Sequence, residues 1–319
     1  MMASIWPCGI SSKRNRYKRL LQRLLIAGSC IAAATAQAQT TVPQAASVAP
    51  PSKQAPVSTT PTSNGTAALN AANSWTLVRT IKLPQPGVAS VDRRGTLYVA
   101  DQQNNIHQYG PDGQPLNTYS PPLPGHVAQL EAWNTTKMLV FYDDRQEVLL
   151  LDRFLAPITQ VRIADFLDGM VRVATLAPDD KLWLFNESDL SLQLYDPTPQ
   201  RLTLRTPLDL IIGRTKPDFR FLRQYQNNLY LVDRTSGIYV FDNLGNYRKK
   251  LPFTGLSFVG FRGDELYYVG SDNALHFFQL YTFAERLLPL PAVADVRQVV
   301  LGEQYTYVLT AAGVLVYRL

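Results

Sequence analysis

From Trp75 onward, short aromatic and aliphatic runs alternate with polar turns, and the runs recur. Leu97-Tyr98-Val99-Ala100, Met138-Leu139-Val140-Phe141, Leu182-Trp183-Leu184-Phe185, Leu229-Tyr230-Leu231-Val232, Leu266-Tyr267-Tyr268-Val269 and Thr306-Tyr307-Val308-Leu309 begin 41, 44, 47, 37 and 40 residues apart. After a polar gap of hairpin length each is followed by a second apolar run, starting at Ile106, Val148, Leu192, Ile238, Leu275 and Val314. A strand candidate precedes every pair, at 88–91, 127–133, 170–176, 219–225, 256–261 and 296–301. Five of the six units close with a more polar run, at 116–119, 158–163, 202–205, 247–251 and 286–290.

A period near 42 residues with four strands per unit predicts an all-β fold, a six-bladed β-propeller of four-stranded antiparallel blades. The sixth unit lacks a fourth strand. Thr76-Leu77-Val78-Arg79-Thr80-Ile81-Lys82-Leu83-Pro84 is similar to Asn246-Tyr247-Arg248-Lys249-Lys250-Leu251-Pro252, so the N-terminal strand is predicted to close the last blade. Second strands apolar on both faces fit between neighbouring sheets, and charged fourth strands fit the rim, where Arg248, Lys249 and Lys250 discourage edge pairing.

Val91-Asp92-Arg93-Arg94-Gly95-Thr96-Leu97-Tyr98-Val99-Ala100-Asp101, then Asn104-Asn105-Ile106-His107-Gln108-Tyr109 and Pro111-Asp112-Gly113, resemble the repeat of NHL-type propellers. Fragments recur at Pro178-Asp179-Asp180-Lys181, Asp242-Asn243-Leu244-Gly245 and Gly263-Asp264-Glu265. The resemblance implies the fold and leaves activity open, because propellers serve binding, scaffolding and several unrelated enzymes.

The chain before Trp75 has another character. A basic stretch, KRNRYKRLLQR, precedes an apolar stretch and Ala36-Gln37-Ala38, the layout of an export signal over residues 1–38. The apolar run from Leu24 to Ala36 is too short for the roughly 20 residues of a membrane-crossing helix. Ala27-Gly28-Ser29-Cys30 leaves lipoprotein processing as the rival route. Residues 39–74, rich in Pro, Thr, Ser and Ala and free of aromatics, read as a disordered linker. The expected location is therefore the periplasm, the cell surface or the exterior.

Charge then changes the picture by where it lies. The formal +6 comes from six basic residues within the first 38 positions, so the rest carries 25 basic and 25 acidic groups. That balance argues against a general grip on nucleic acid. Both cysteines, Cys8 and Cys30, also precede residue 39, which removes disulfides and cysteine chemistry from the predicted ring.

Turns between second and third strands share one face of the ring with the blade-to-blade connections. That face gathers Asp101, Asn104, Asn105, Asp143, Asp144, Arg145, Glu187, Asp189, Asp233, Arg234, Asp272 and Asn273, with His126 beside them as the one candidate acid-base group. As a set they suit a basic side chain, a sugar or a cation. Each is equally a common turn residue, because Asp and Asn bond local amides and tolerate left-handed backbone. His107 and His276 fall at third-strand positions, and no G-x-S-x-G stretch occurs. The expectation is a non-enzymatic, monomeric binding or scaffold module for an envelope protein or glycan, with no cofactor and no membrane helix in the mature chain. The alternative is a metal-dependent, lactonase-like hydrolase or lyase with carboxylates at the channel mouth; its equivalent positions are Asp101, Tyr142, Asn186, Asp233, Gly270 and Thr310.

Overall fold

The computed structural model describes residues 75–134, 136–213 and 216–319. The expected export signal, Cys30 and the linker at 39–74 lie outside the described residues. The described chain begins with β1 (Thr76–Ile81). Blade 1 follows as β2 (Ala89–Val91), β3 (Leu97–Ala100), β4 (Ile106–Tyr109) and β5 (Pro115–Tyr119), and blade 2 as β6 (Val127–Glu131), β7 (Met138–Tyr142), β8 (Glu147–Leu151) and β9 (Pro157–Arg162). Blade 3 is β10 (Val171–Leu176), β11 (Leu182–Asn186), β12 (Ser191–Asp196) and β13 (Arg201–Pro207); blade 4 is β14 (Phe219–Tyr225), β15 (Asn228–Asp233), β16 (Gly237–Asp242) and β17 (Tyr247–Leu251). Blade 5 is β18 (Gly260–Arg262), β19 (Glu265–Val269), β20 (Ala274–Gln279) and β21 (Glu285–Pro289). Blade 6 takes β22 (Gln298–Leu301), β23 (Thr306–Thr310) and β24 (Gly313–Arg318), and its outer strand is β1.

Among the described residues these form six antiparallel four-stranded sheets, a six-bladed propeller. β1 runs beside β24 from Thr76↔Arg318 to Ile81↔Val314. The register refines the expected likeness between closing strands: Ile81, rather than Leu83, takes the place that Leu251 has opposite Ile238 in blade 4. Trp75 fastens the start of β1, its Nε1 donating to the Pro289 carbonyl at 2.8 Å and its ring meeting Tyr317 edge-on at 5.5 Å.

The core is divided among the blade boundaries. Tyr98, Ile106, Val140 and Tyr142 join blades 1 and 2; Phe141, Leu176, Leu184 and Tyr195 join 2 and 3; Trp183, Phe185, Phe219 and Tyr239 join 3 and 4. Tyr230, Val240, Leu266 and Phe278 join 4 and 5, and Tyr267, Phe277, Val308 and Tyr317 join 5 and 6. Ile81, Leu97, Val99, Tyr307 and Val316 complete the circuit between 6 and 1. There the buried Tyr307 hydroxyl lies 2.8 Å from the carbonyls of both Gly95 and Pro111, bracing the last blade on the first. The second strands β3, β7 and β11 are buried along their length because a sheet lies on either side, whereas the outer strands β5, β9 and β13 are mostly exposed.

Blade 5 departs from the pattern. A strand is expected over 256–261, but pairing covers only Gly260, Phe261 and Arg262. Leu256 and Val259 are buried against blades 4 and 5 without joining the ladder, so side-chain burial and not hydrogen bonding holds this segment. The ring of Tyr267 lies where a Cβ on residue 260 would stand, which makes Gly260 a requirement of the packing. Tyr268 and Val269 are consequently left without a first-strand neighbour.

Candidate functional site

On the crossover face, the one carrying the blade-to-blade connections, most predicted carboxylates are spent on their own loops. Asp101 accepts the backbone amides of Gln103 and Asn105 through Oδ1, and the side chains of Asn105 and His107, both at 2.8 Å, through Oδ2. Burial raises its pKa, but the bonds from Asn105 and His107 outweigh it and hold the carboxyl below its ordinary value. Asn104 occupies the left-handed position of this turn at φ 62°, and its Oδ1 accepts the Val127 amide of the next blade. Asp242 binds Leu244 and Asn246 in the same way in a turn on the opposite face. A geometry shared by both faces belongs to the turn.

Asp233 is fully buried, accepting the amides of Asp218 and Thr235 and the Ser236 hydroxyl. Arg234 uses its main chain to hold Asp218 and Gly255. Glu187 is exposed, its amide bonded to the Met170 carbonyl. Asp189 is paired with Arg205 at 2.9 Å.

His126, Asp143 and Asp144 do come together. His126 Nδ1 and Asp143 Oδ1 are 2.7 Å apart, the His126 amide donates to Asp144 Oδ2 at 2.9 Å, and Arg172 lies 3.8 Å from the other Asp143 oxygen. Arg145 turns away to Glu147 at 2.6 Å and lies over the Tyr142 ring. At the other positions of the predicted mouth, the Asn186 side chain bonds Asp168 and Ser188, and the Thr310 hydroxyl bonds Gly313 and Ala312. Among the described residues no three His, Cys, Asp or Glu side chains converge as metal ligands.

The short β18 opens a cleft of about 610 Å³ on the crossover face, which the strand pattern did not reveal. Phe253, Phe258, Tyr268, Asp272, His276 and Arg297 line it. The Tyr268 and His276 rings stack at 4.9 Å and 11°, and Phe253 lies 5.0 Å from Tyr268. His276 Nε2 bonds both oxygens of Asp272, at 3.0 and 3.1 Å. That bond is the main cause holding the Asp272 carboxyl below its ordinary value, while burial, then Glu285 and Asp272, raise Tyr268. Asp272 was legible as a face residue; Asn273 serves as the left-handed turn position beside it, at φ 57°. The Pro, Gly and Ser content of 252–257 was the available signal that the segment leaves the sheet.

No protein-family model matches this sequence, and no curated protein matches it significantly. Among solved structures it is similar to BamB from Moraxella catarrhalis, at 11% identity and a TM-score of 0.47 over 77% of this chain and 98% of that one. It is also similar to the Pan2 WD40 domain of Neurospora crassa, at 12% identity and a TM-score of 0.49 over 74% of this chain and 79% of that one.

Proposed function

We propose that this protein is an exported, non-enzymatic binding module of the bacterial cell envelope, an NHL-like propeller acting as a monomer. Its crossover face receives a protein or glycan partner at the cleft beside blade 5. The observation that carries the reading is the cleft itself: an aromatic wall of Phe253, Tyr268 and His276 stands beside the Asp272 carboxylate and Arg297. Aromatic faces with a few fixed polar groups suit recognition of a sugar ring or a planar side chain. The turn carboxylates support the reading differently, since by holding the loops of Asp101 and Asp233 they make the face rigid before a partner arrives. Export is supported by the basic and apolar leader ending in Ala36-Gln37-Ala38.

The test compares envelope proteins and glycans retained by the wild type, by Tyr268→Ala/His276→Ala and by Asp143→Ala/Asp144→Ala/Arg145→Ala. The cleft variant is expected to lose a ligand that the wild type retains. Identical retention by all three proteins, or none by any, overturns the proposal. N-terminal sequencing of the exported protein is expected to begin at Gln39; retention in the cytoplasm counts against the location.

A further inference from the structure

A second cavity, of about 660 Å³, lies in the central channel and opens among the turns between first and second strands, on the side away from the crossover face. Its walls come from the first strands of several blades and the segments flanking them, with Tyr267 from the second strand of blade 5. They are aromatic, with Trp133, Phe221, Tyr225, Phe258, Phe261 and Tyr267. The size falls within the range of small-molecule sites, roughly 300–1,000 Å³.

Its polar groups are unequal in kind. Three arginines line it, Arg93, Arg223 and Arg262, and among the described residues neither Arg93 nor Arg262 has an ion-pair partner. Arg223 Nη1 lies 3.6 Å from the buried Glu131, while its Nε and the Trp133 Nε1 are buried without an acceptor in the protein. The Tyr267 hydroxyl accepts the Leu301 amide, and burial raises its pKa to about 12, so it stays protonated with its own O–H to give. Acceptors are mostly spent. Asp92 takes the amides of Arg94 and Thr96, Gln224 takes the Trp183 indole, and Gln226 takes the Tyr281 hydroxyl. Glu303, at the rim, is the exception.

We infer that this end of the channel binds a small monocarboxylate with a flat apolar body, the carboxylate meeting Arg93 and Arg262 and the body lying against Trp133 and the stacked pair of Tyr225 and Phe261, whose rings are 4.5 Å apart. Guanidinium groups pair with carboxylates through two parallel N–H bonds, and aromatic walls favour a planar body. Charge selects the valence. The lining holds Arg93, Arg223 and Arg262 with Asp92 and Glu303, and Glu131 lies behind Arg223, so the formal charges around the cavity cancel. A dianionic phosphate would bring twice the charge close to Asp92 and Glu303, whereas a single negative charge can be met by the N–H groups of Arg93 and Arg262.

The probe is N-acetyl-L-phenylalanine, with its primary amide as the neutral control and phenyl phosphate as the dianion, followed by calorimetry and ligand-observed NMR. The acid is expected to bind at least tenfold more tightly than the amide and more tightly than phenyl phosphate. Arg262→Gln and Arg93→Gln, both at exposed positions, are each expected to weaken the acid about tenfold and leave the amide unchanged, the loss of a charge-assisted bond. Lys250→Gln, which removes a positive charge from the outer strand of blade 4, is expected to leave binding of the acid unchanged. Equal binding of acid and amide, no binding of the acid at millimolar concentration, or insensitivity to both arginine variants overturns the inference; tighter binding of phenyl phosphate overturns the assigned valence.

Discussion

The Glu131 carboxylate of blade 2 and the Arg223 guanidinium of blade 4 stand 3.6 Å apart, reaching past blade 3. Blade 3 takes part through the Thr175 hydroxyl and the Leu176 amide, both donating to Glu131 Oε2, at 2.9 and 3.2 Å. Gln129 donates to Glu131 Oε1 and to the Leu222 carbonyl, each at 2.7 Å. Three blades are thus tied by one buried acid, and burial lowers the Arg223 pKa against the opposing pull of Glu131.

Glu131→Ala is expected to destabilise the protein by about 3 kcal/mol, since it leaves a cation buried without its partner. Glu131→Gln retains an acceptor for Thr175 and Leu176 and is expected to cost less. Urea unfolding, completed by the Arg223→Gln and double variants, measures the coupling; additive effects would show that the pair contributes nothing of its own.

The Asp101 turn supplies a pH dependence whose sign is fixed. Its folded pKa lies below the unfolded one, so its contribution is present above the unfolded value and lost as pH falls through the folded value. Asp101→Asn is expected to cost about 1–2 kcal/mol at pH 7. The gap between variant and wild type should narrow toward pH 3 in denaturation series; a constant gap would refute the assignment.

Gly313 and Gly237 begin equivalent third strands with φ of 149° and 117°. A Cβ on Gly313 would collide with the Ile81 carbonyl, and one on Gly237 with that of Leu251. Gly313→Ala should therefore loosen the joint with β1, by about 2–3 kcal/mol. Gly263→Ala is the comparison: it also has positive φ, 56°, but open space around it, and should cost only about 1 kcal/mol. Equal melting temperatures for the two variants would contradict the collision.

Removal of residues 75–83 takes away the outer strand of blade 6 and the buried side chains of Ile81 and Leu83. A pronounced drop in melting temperature is expected, and Ile81→Ala alone should cost about 2–4 kcal/mol. An unchanged thermal transition in the deletion would show that the joint bears no stability.

The architecture was legible because every blade repeats the same instruction, from Leu97 in the first to Thr306 in the last. The sites were not, for two physical reasons. Asp101 in a turn presents the same letters whether it meets a ligand or its own Asn105 amide, and only the folded loop distinguishes the two. Leu256 and Val259 are buried whether or not their backbone joins a sheet, so their apolar pattern concealed the cleft at Tyr268. The channel left a fainter trace: Glu131 follows the buried Leu130 in β6 and Arg223 follows the buried Phe221 and Leu222 in β14, and a charge set beside such residues asks for a partner.

Because blade 6 draws its outer strand from Thr76–Ile81 and its other three from the far end of the ring, β1 is synthesised long before β24 exists to receive it. Blades 1 to 5 can take shape in order as the polypeptide emerges, but the final boundary must wait for translation to reach Arg318. A partly synthesised copy is therefore an open arc, and the ring can lock only once β24 has been made.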